Sequence, residues 1–330
     1  MSRIDFDAFE DEWEDDESRP PRRGRELSPE ARARIELMES ARVVAVDRGR
    51  VTVLYHGEVV EAPLAGTMRG TKTVVGDHVR VRPPRHEQDL PRIVEVLDRE
   101  TVLTRTGDDT QDDERILVAN ADQVVVVLAA DHLDAGTRFL DRVMVSASAG
   151  GMPTAMCVNR VDLVDDRGGV DELVQRYAPL GVDAVVTSAK TGEGLEELRW
   201  LLSGLWSAFA GHSGVGKSSL FNLVVPEAER EVGEMGPRGG RHTTTASMAM
   251  HVPDVDAWLV DTPGVRSFGL GATEPRQLAR HFPELAALTC AHDDCIHDGE
   301  PGCRLAEAEM HPDRLASYRR LLASIRGEQP

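Results

Sequence analysis

Residues 211–218 read Gly-His-Ser-Gly-Val-Gly-Lys-Ser, and they are the clearest guide to the architecture of the chain. It matches the pattern G-x-x-x-x-G-K-[ST], in which a glycine-rich loop joins a β-strand to the N-terminus of a helix. Apolar residues at 206–210 predict the strand, and the pattern at 219–224 predicts the helix. Such a loop surrounds a phosphate with backbone N–H groups, while the helix N-terminus adds partial positive charge. The sequence therefore predicts a nucleotide phosphate site in an α/β domain.

Two side chains of this loop carry separate chemistry. The Lys217 ammonium is expected to meet the β- and γ-phosphate oxygens, and the Ser218 hydroxyl is expected to bind Mg²⁺. The remaining positions supply backbone groups and the first helical turn. We expect the nucleotide to contact Gly211, His212, Ser213, Gly214, Val215, Gly216, Lys217, Ser218 and Ser219.

Two further loops indicate that the base is guanine. Residues 159–162, Asn-Arg-Val-Asp, follow an apolar strand and resemble N-K-x-D, in which the carboxylate (here Asp162) accepts from guanine N1–H and the exocyclic amine. Residues 187–190, Thr-Ser-Ala-Lys, follow the next strand, and their backbone can meet the guanine carbonyl oxygen. Alone, an N-x-x-D turn caps helices more often than it reads a base. Since all three loops follow strands, they should meet at one sheet edge. The expected base contacts are Asn159, Arg160, Val161, Asp162, Ser188, Ala189 and Lys190.

A fourth motif, Asp-Thr-Pro-Gly at 261–264, follows the apolar run 257–260. Its pattern, D-x-x-G, predicts that Asp261 reaches Mg²⁺ and that the Gly264 amide senses the γ-phosphate. The threonine run at 243–245 offers a further Mg²⁺ ligand, taken here as Thr244, in a glycine-rich segment that could order around the γ-phosphate. By itself, each of these segments also fits an ordinary turn or polar loop.

The order of these motifs is unusual, because both base-reading loops precede the phosphate loop. A conventional GTPase begins with the phosphate loop, so the sequence predicts a circularly permuted GTPase core at residues 99–270. Alternating strand and helix patterns from 122 to 210 support a parallel sheet with helices on both faces.

The N-terminal part differs from the GTPase core in its charge distribution and its secondary-structure pattern. Residues 1–18 hold nine acidic side chains against one arginine, and residues 19–34 hold six arginines against two glutamates. We interpret 1–40 as a disordered acidic tail followed by an arginine- and proline-rich arm. Short β-branched segments with turns between 41 and 98, residues 73–75 among them, predict a five-stranded OB-type barrel. Its arginines and lysine could hold nucleic acid, although a barrel with ordinary surface charges explains them equally well.

The C-terminal region, 271–330, contains a candidate metal site in a helical pattern. Cys290, Cys295, His297 and Cys303 lie within fourteen residues, with glycine and proline between them. Three thiolates and one imidazole suit a closed tetrahedral Zn²⁺, and a closed site holds structure together rather than performing catalysis. We therefore expect one structural zinc ion.

Composition restricts the partners and the cellular location that we expect. The formal net charge of −19 argues against a uniformly basic nucleic-acid coat. No apolar run is long enough to span a membrane and no secretory leader is apparent, so we expect a cytoplasmic chain without membrane contact.

Taken together, these motifs resemble the circularly permuted, small-ribosomal-subunit-dependent GTPases, the RsgA or YjeQ family. The resemblance covers about residues 41–328 and rests on 211–219, Gly-Arg-His-Thr-Thr-Thr at 240–245, 261–264 and the Cys/His spacing. It implies a barrel, a permuted GTPase core and a zinc domain. It also implies a late assembly factor for the 30S subunit that binds 16S rRNA, is stimulated by the subunit and hydrolyses GTP to GDP, and we expect a monomer. The arginines at 19–34, the barrel loops, and Arg314, Arg319 and Arg320 are the expected RNA contacts.

Two positions depart from common GTPase patterns. Val265 stands where many GTPases carry a water-positioning glutamine; the resemblance implies that His242 replaces it, and a phosphate or RNA contact is the alternative role. Arg160 stands in place of lysine and can stack on the base, but lysine braces the phosphate loop. Two other functions stay open at this point: a nucleotide-gated RNA-binding module with negligible turnover, and a small-molecule kinase that uses the same phosphate loop.

Overall fold

The computed structural model describes residues 29–327 except 48, 69, 85, 87–88, 107–113, 226–246, 263–267, 269 and 271–272. The chain forms two compact units, Met1–Arg99 and Glu100–Pro330. The finer division into tail, barrel, GTPase core and zinc domain stays a prediction. Among the described residues, none of the helices combines the length and apolar character that a membrane crossing requires.

The first unit is a small antiparallel β structure preceded by one helix. Its strands pair in the order β3-β2-β1-β4-β5, and a parallel bridge between Leu64 and Ile93 joins the segment after β3 to β5. The five-stranded OB-type barrel stays a prediction. The elements are α1 (Pro29–Glu36), β1 (Glu39–Asp47), β2 (Arg50–Tyr55), β3 (Glu58–Glu61), β4 (His78–Arg82) and β5 (Arg92–Val96).

Alternation along these strands places small β-branched side chains inside. Val43, Val53, Val79, Val81 and Ile93 are fully buried in one cluster, as expected for strands with one face on a core.

Residues 73–75 are the exception to the strand pattern, because they belong to none of the strands. The Val74 N–H donates to the Asp77 carboxylate (2.8 Å), and the Gly76 N–H donates to the Val43 oxygen (2.8 Å). These bonds hold the segment as a turn leading into β4.

The second unit contains a six-stranded sheet in the order β10-β9-β8-β11-β13-β12. All neighbours are parallel except β12, which is antiparallel to β13. Every residue of β8 and β11 is buried, as central strands covered on both faces should be. The strands are β8 (Gln123–Ala129), β9 (Thr154–Asn159), β10 (Asp183–Val186), β11 (Trp206–Gly211), β12 (Met248–Val252) and β13 (Ala257–Asp261).

A separate hairpin of β6 (Val102–Thr106) and β7 (Glu114–Ala119) precedes this sheet; the sequence pattern does not mark it. The crossover helices run between the strands of the sheet. They are α2 (Leu133–Ala149), α3 (Gly168–Tyr177), α4 (Leu195–Leu202) and α5 (Lys217–Val224), and the apolar faces of α4 and α5 pack in one core with the strands.

The C-terminal part is helical, with α6 (Pro275–Arg280), α7 (Pro283–Ala286) and α8 (Pro312–Ile325). Phe282, Tyr318 and Leu322 form its apolar core, which also includes Val145 of α2. The C-terminal helices therefore pack directly on the α/β part of the second unit.

Arg314 corrects one expectation from the sequence, because it is a core residue and cannot contact RNA. Its guanidinium is 2% exposed and pairs with Asp141 of α2, and it forms two hydrogen bonds with Glu284, at 2.9 and 3.0 Å. The guanidinium also lies over the Phe282 ring, 4.5 Å from its centroid. Burial acts to lower the pKa of Arg314, but the bonds to Glu284 and the charge of Asp141 raise that pKa above its ordinary value.

Candidate functional site: a nucleotide-binding edge and a metal cluster

The three motif loops lie together at one edge of the sheet. Residues 159–162 follow β9, 187–190 follow β10, and the phosphate loop follows β11, while Asp261 ends β13. The chain runs outward from β8 through β9 to β10 and then returns to β11 on the other side of β8. Loops at such a reversal of strand order form the usual ligand crevice of parallel sheets.

The phosphate loop requires glycine at Gly216. Its φ is +88°, and a Cβ there would lie 2.3 Å from Asn159 Nδ2. A side chain would therefore suffer both backbone strain and a collision with the neighbouring loop. The adjacent Lys217 begins α5 with only 9% of its surface exposed; its ammonium contacts the Asp261 carboxylate and lies 3.3 Å from the Thr262 oxygen. Ser218 and Ser219 are exposed on the first turn.

Asn159 is 1% exposed and holds three loops together. Its amide Nδ2 donates to the Val215 oxygen of the phosphate loop (2.9 Å). Its Oδ1 accepts from the Ala189 N–H (3.0 Å) and from the Thr187 hydroxyl (3.2 Å). These three hydrogen bonds of the buried amide connect the loop after β9 to the loops after β10 and β11.

Asp162 is the acidic residue of the loop after β9. Its Oδ1 accepts a 2.6 Å hydrogen bond from the Ser188 hydroxyl, and its other oxygen lies 3.7 Å from the Lys190 ammonium. The bond from Ser188 is the largest cause that holds the pKa of Asp162 below its ordinary value, with Lys190 adding to it. The carboxylate is thus kept ionised and able to accept hydrogen bonds.

Arg160 lies in the left-handed region, with φ of +69°. Its Nη1 donates to the Gly214 oxygen of the phosphate loop (3.2 Å), so the arginine contacts that loop as the expected lysine would. Its Nη2 lies 3.1 Å from the carboxylate of Asp131.

His212, the second residue of the phosphate loop, has its ring 4.3 Å from the ring of Phe139 on α2. Partial burial lowers the pKa of this histidine. Phe139 in turn contacts Phe268 edge-on, at 5.5 Å between centroids.

Several expected residues lie outside the described part of the chain. These are His242, Thr244 and Gly264, together with Val265 and the arginines before residue 29. Of the three predicted Mg²⁺ ligands, only Ser218 and Asp261 are described, and both lie at the crevice.

The predicted metal ligands form one cluster. The four ligand atoms of Cys290, Cys295, His297 and Cys303 all lie within 4.8 Å of one another. His297 Nδ1 is 3.6, 3.7 and 3.6 Å from the three sulfur atoms, close to the separation of about 3.6 Å that tetrahedral Zn–S and Zn–N bonds impose. The donor set and its spacing therefore fit a tetrahedral metal ion with no position left for solvent.

Some residues around the site are not marked by the sequence motifs. The Thr262 hydroxyl donates to the Phe209 oxygen (2.5 Å) and fixes the end of β13 against β11. Glu300 accepts from the Ile296 and Asp298 N–H groups (2.8 Å each) and closes the metal loop. Asp131 follows the end of β8; the only signal that could have found it is its place after an apolar strand.

Known proteins were compared with the chain. Residues 96–271 match the family described as RsgA GTPase. The chain belongs to this family. It is therefore a GTP-hydrolysing enzyme of the circularly permuted RsgA type, and the order of its motifs is a family feature rather than an accident of the sequence.

The RsgA relatives resemble the chain along most of their length. The small ribosomal subunit biogenesis GTPase RsgA of Chlorobaculum parvum is 36% identical over 265 residues, which cover 76% of this chain and 85% of the relative. The protein of the same name from Gemmatimonas aurantiaca is 36% identical over 300 residues, covering 86% and 97%.

Two solved structures share the fold. The crystal structure of YjeQ from Thermotoga maritima is 32% identical, with a TM-score of 0.71, and the match covers 88% of this chain and 99% of that one. The structure of YloQ, titled a circularly permuted GTPase, is 24% identical with a TM-score of 0.69 over 89% and 96% of the two chains; it supports the fold alone. The predicted multidomain class, a β-rich N-terminal part before a permuted GTPase core, is confirmed.

Proposed function

We propose that this RsgA-family GTPase is a late-stage maturation factor of the 30S ribosomal subunit, which binds 16S rRNA and hydrolyses GTP when it engages the subunit. The observation that carries the proposal is the extent of the likeness to relatives named small ribosomal subunit biogenesis GTPase, which reaches 97% of one relative's length. The likeness includes the β-rich N-terminal part and the C-terminal region as well as the nucleotide site.

In this proposal the base lies between the loops that follow β9 and β10. The Asp162 carboxylate accepts from guanine N1–H and the exocyclic amine, and the backbone of the loop 187–190 meets the guanine carbonyl oxygen. Val161 and Ser188 shape the same wall, and the Lys190 and Arg160 side chains flank the base. An adenine edge offers no such pair of donors, so Asp162 selects guanine.

The phosphates lie in the loop 211–218, at the N-terminus of α5, where successive N–H groups surround them. Lys217 exchanges its contact with Asp261 for the β- and γ-phosphate oxygens. Ser218, Asp261 and Thr244 would hold Mg²⁺, and the Gly264 amide would meet the γ-phosphate. When bound, Mg²⁺ neutralises charge that develops on the phosphate oxygens as water attacks the γ-phosphorus and the bond to the β-phosphate oxygen breaks.

Water activation is assigned to His242. Val265 has no group that could orient the attacking water, so another side chain must do so, and His242 stands beside the threonine run. Positioning of His242 by the bound subunit would explain a hydrolysis rate that depends on the partner. A phosphate or RNA contact is its alternative role.

The Cys/His cluster is proposed to hold one structural Zn²⁺. The ion would replace the missing apolar core of a short loop that contains three glycine or proline residues between its ligands, and Tyr318 of α8 donates its hydroxyl to the Ile296 oxygen within that loop. Zinc binding thus fixes the loop on α8.

Contacts with rRNA are assigned to exposed cations. Arg319 and Arg320 are exposed on α8, and Lys72 is exposed on the first unit. The chain is proposed to act as a cytoplasmic monomer. Because the overall charge is −19, these local patches must provide the attraction to RNA.

The decisive experiment measures phosphate release from GTP and from ATP, alone and with purified 30S subunits. Strong stimulation by 30S with GTP, and none with ATP, is expected; Lys217→Ala serves as the inactive control and 50S subunits as the partner control. Absence of stimulation by 30S would contradict the assembly role. Hydrolysis of ATP at the rate of GTP would contradict the base assignment.

One alternative function is supported by a specific residue. Val265 is compatible with a nucleotide-gated RNA-binding module that turns over negligibly. Nucleotide-dependent binding to 30S without phosphate release, in wild type and His242→Ala alike, would favour it. Membership of a GTPase family does not favour the small-molecule kinase.

A further inference from the structure

Arg160 forms a bridge across the nucleotide edge, and this bridge has a second support. The guanidinium starts from the loop after β9 and reaches the Gly214 oxygen in the loop after β11 (3.2 Å). Between β9 and β11 lies β8. Two residues beyond the end of β8, Asp131 presents its Oδ2 to Arg160 Nη2 at 3.1 Å. One planar group therefore joins the loops of three adjacent strands.

Both partners are sheltered from solvent. The exposed fractions of the Arg160 and Asp131 side chains are 32% and 22%. The second carboxylate oxygen, Asp131 Oδ1, is buried and has no hydrogen-bond partner among the described residues. His132 Nε2 also lies near this carboxylate, 3.6 Å from Oδ2. A half-buried carboxylate in this setting depends on the arginine for compensation of its charge.

The backbone at Arg160 also needs support. A left-handed φ of +69° is unfavourable for a residue with a Cβ, and it persists where surrounding contacts over-determine it. The contacts to Gly214 and Asp131 supply that constraint. A lysine at this position presents a single nitrogen, whereas the two outer nitrogens of arginine meet two acceptors at once in a fixed plane.

We propose that Asp131 is a positioning residue for guanine nucleotide binding: its carboxylate holds the Arg160 guanidinium against the phosphate loop, and it thereby slows release of the nucleotide. The proposal rests on the proposed function, since it assumes that the nucleotide lies in this loop. Asp131 itself acts only through Arg160 and touches neither base nor phosphate.

The direction in which Asp131→Asn changes the rate of GDP release distinguishes a positioning role from charge repulsion. A carboxylate near a triphosphate repels it, so removal of the charge alone would tighten nucleotide binding. Loss of a positioning contact has the opposite effect. Asp131→Asn should release GDP roughly tenfold faster than wild type, a change of the size expected for one charge-assisted hydrogen bond.

The test measures dissociation of a fluorescent GDP analogue by stopped flow, together with single-turnover hydrolysis of pre-bound GTP. We expect faster dissociation in Asp131→Asn, with a larger change in the dissociation rate than in the single-turnover rate, and recovery in Asp131→Glu. Asp134→Asn, which removes an exposed carboxylate of the same segment, is the matched control and should dissociate like wild type. In an Arg160→Ala background, Asp131→Asn should change the rate by less than about twofold, because coupled residues are non-additive.

Dissociation from Asp131→Asn at the wild-type rate, or an equal effect of Asp131→Asn with and without Arg160, would overturn the inference alone. A wild-type chain that binds neither GDP nor GTP would contradict the proposed function itself, and this is measured before any variant. Thermal unfolding of each variant shows whether a faster release reflects a misfolded site; an Asp131→Asn chain that releases GDP faster only in proportion to its unfolded fraction also overturns the inference.

Discussion

Asn159 donates a hydrogen bond from its side-chain amide to the main-chain oxygen of Val215, across 2.9 Å. These residues are 56 positions apart, and they belong to a base-reading loop and to the phosphate loop. The base-reading loop comes first along this chain and follows β9, whereas the phosphate loop follows β11, and β8 lies between these two strands in the sheet. The geometry of the site thus depends on neighbouring strands rather than on chain order.

Gly216→Ala tests this junction. The Cβ would lie 2.3 Å from Asn159 Nδ2 at a φ of +88°, so we expect loss of GDP binding and a free energy of unfolding lowered by about 2–4 kcal/mol. Isothermal titration with GDP and urea unfolding measure the two effects.

Gly181→Ala is the matched control for this variant. Its φ is +76° but nothing lies within 4 Å of its Cβ, so it carries the backbone strain without the collision. It should cost about 1 kcal/mol and leave GDP affinity unchanged. Equal losses of affinity in both variants would show that the collision with Asn159 is unimportant.

Asp162→Asn should change which purine is bound. The variant keeps an oxygen to accept from N1–H but replaces the second acceptor with an N–H donor, which suits the C2 carbonyl of xanthine. We expect GDP affinity to fall by roughly a hundredfold, since two charge-assisted bonds are affected, and xanthosine diphosphate to bind better than GDP. Competition titration measures this preference; retention of guanine selectivity would mean that Asp162 does not read the base.

The pH dependence of GDP binding follows from the lowered pKa of Asp162. A carboxylate whose pKa is depressed in the folded state stays ionised above its ordinary range near pH 4, and its contribution to stability and binding is lost only as pH falls through the lowered value. Affinity should therefore show no Asp162 titration between about pH 5 and 8. In Ser188→Ala the acid limb should move to higher pH, because the 2.6 Å bond from the hydroxyl is lost.

Thr191→Ala provides the comparison for that experiment. It removes a hydroxyl from the same loop whose described hydrogen bond is to the Glu193 N–H (3.4 Å). Its acid limb should coincide with that of wild type. An acid limb that stays in place in Ser188→Ala would contradict the role of this hydroxyl.

Metal content tests the Cys/His cluster. We expect one zinc ion per wild-type chain by plasma emission spectrometry and none in Cys295→Ser, because four ligand atoms within 4.8 Å form one site. Loss of the ion should expose residues 289–304 to limited proteolysis. His292→Ala alters an exposed histidine of the same loop and should retain the zinc; a metal-free wild type with an intact loop would contradict the assignment.

Arg314→Met tests the buried ion cluster between α2, α7 and α8. Removal of the guanidinium leaves Asp141 and Glu284 uncompensated in the core, and Asp141 also accepts from the Tyr177 hydroxyl (2.7 Å). The free energy of unfolding should fall by about 3–5 kcal/mol, as measured by urea denaturation.

Arg319→Met, on the same helix but exposed, should change that free energy by no more than about 0.5 kcal/mol. If 30S binding is measured in parallel, Arg319→Met should weaken it, since this arginine is free to contact RNA. A small change in the free energy of unfolding for Arg314→Met would show that the ion cluster of Arg314, Asp141 and Glu284 does not stabilise the fold.

Much of the site could be predicted because its functional residues lie in short sequence motifs. The phosphate loop, the Asp162 and Lys190 loops and the metal cluster each occupy fewer than fifteen consecutive residues, and the structure places the described ones as the strand pattern indicates. The alternation of strands and helices predicted from 122 to 210 is also observed, from β8 to β11. The prediction of a strand at 73–75 was wrong. Its β-branched residues fit a turn as well as a strand when the Val74 N–H can donate to the Asp77 carboxylate.

Short spacings in the sequence were enough to predict the kind of ligand, the permuted motif order and the candidate metal donors, because those depend on residues close together in the chain. Only the tertiary structure decided that Asn159 aligns three loops, that Asp131 supports Arg160, and that Arg314 is a core residue rather than an RNA contact. The reason is physical: an arginine or aspartate has the same local signature whether it meets solvent or a buried partner more than a hundred residues away, and which partner it meets depends on the packing of strands and helices.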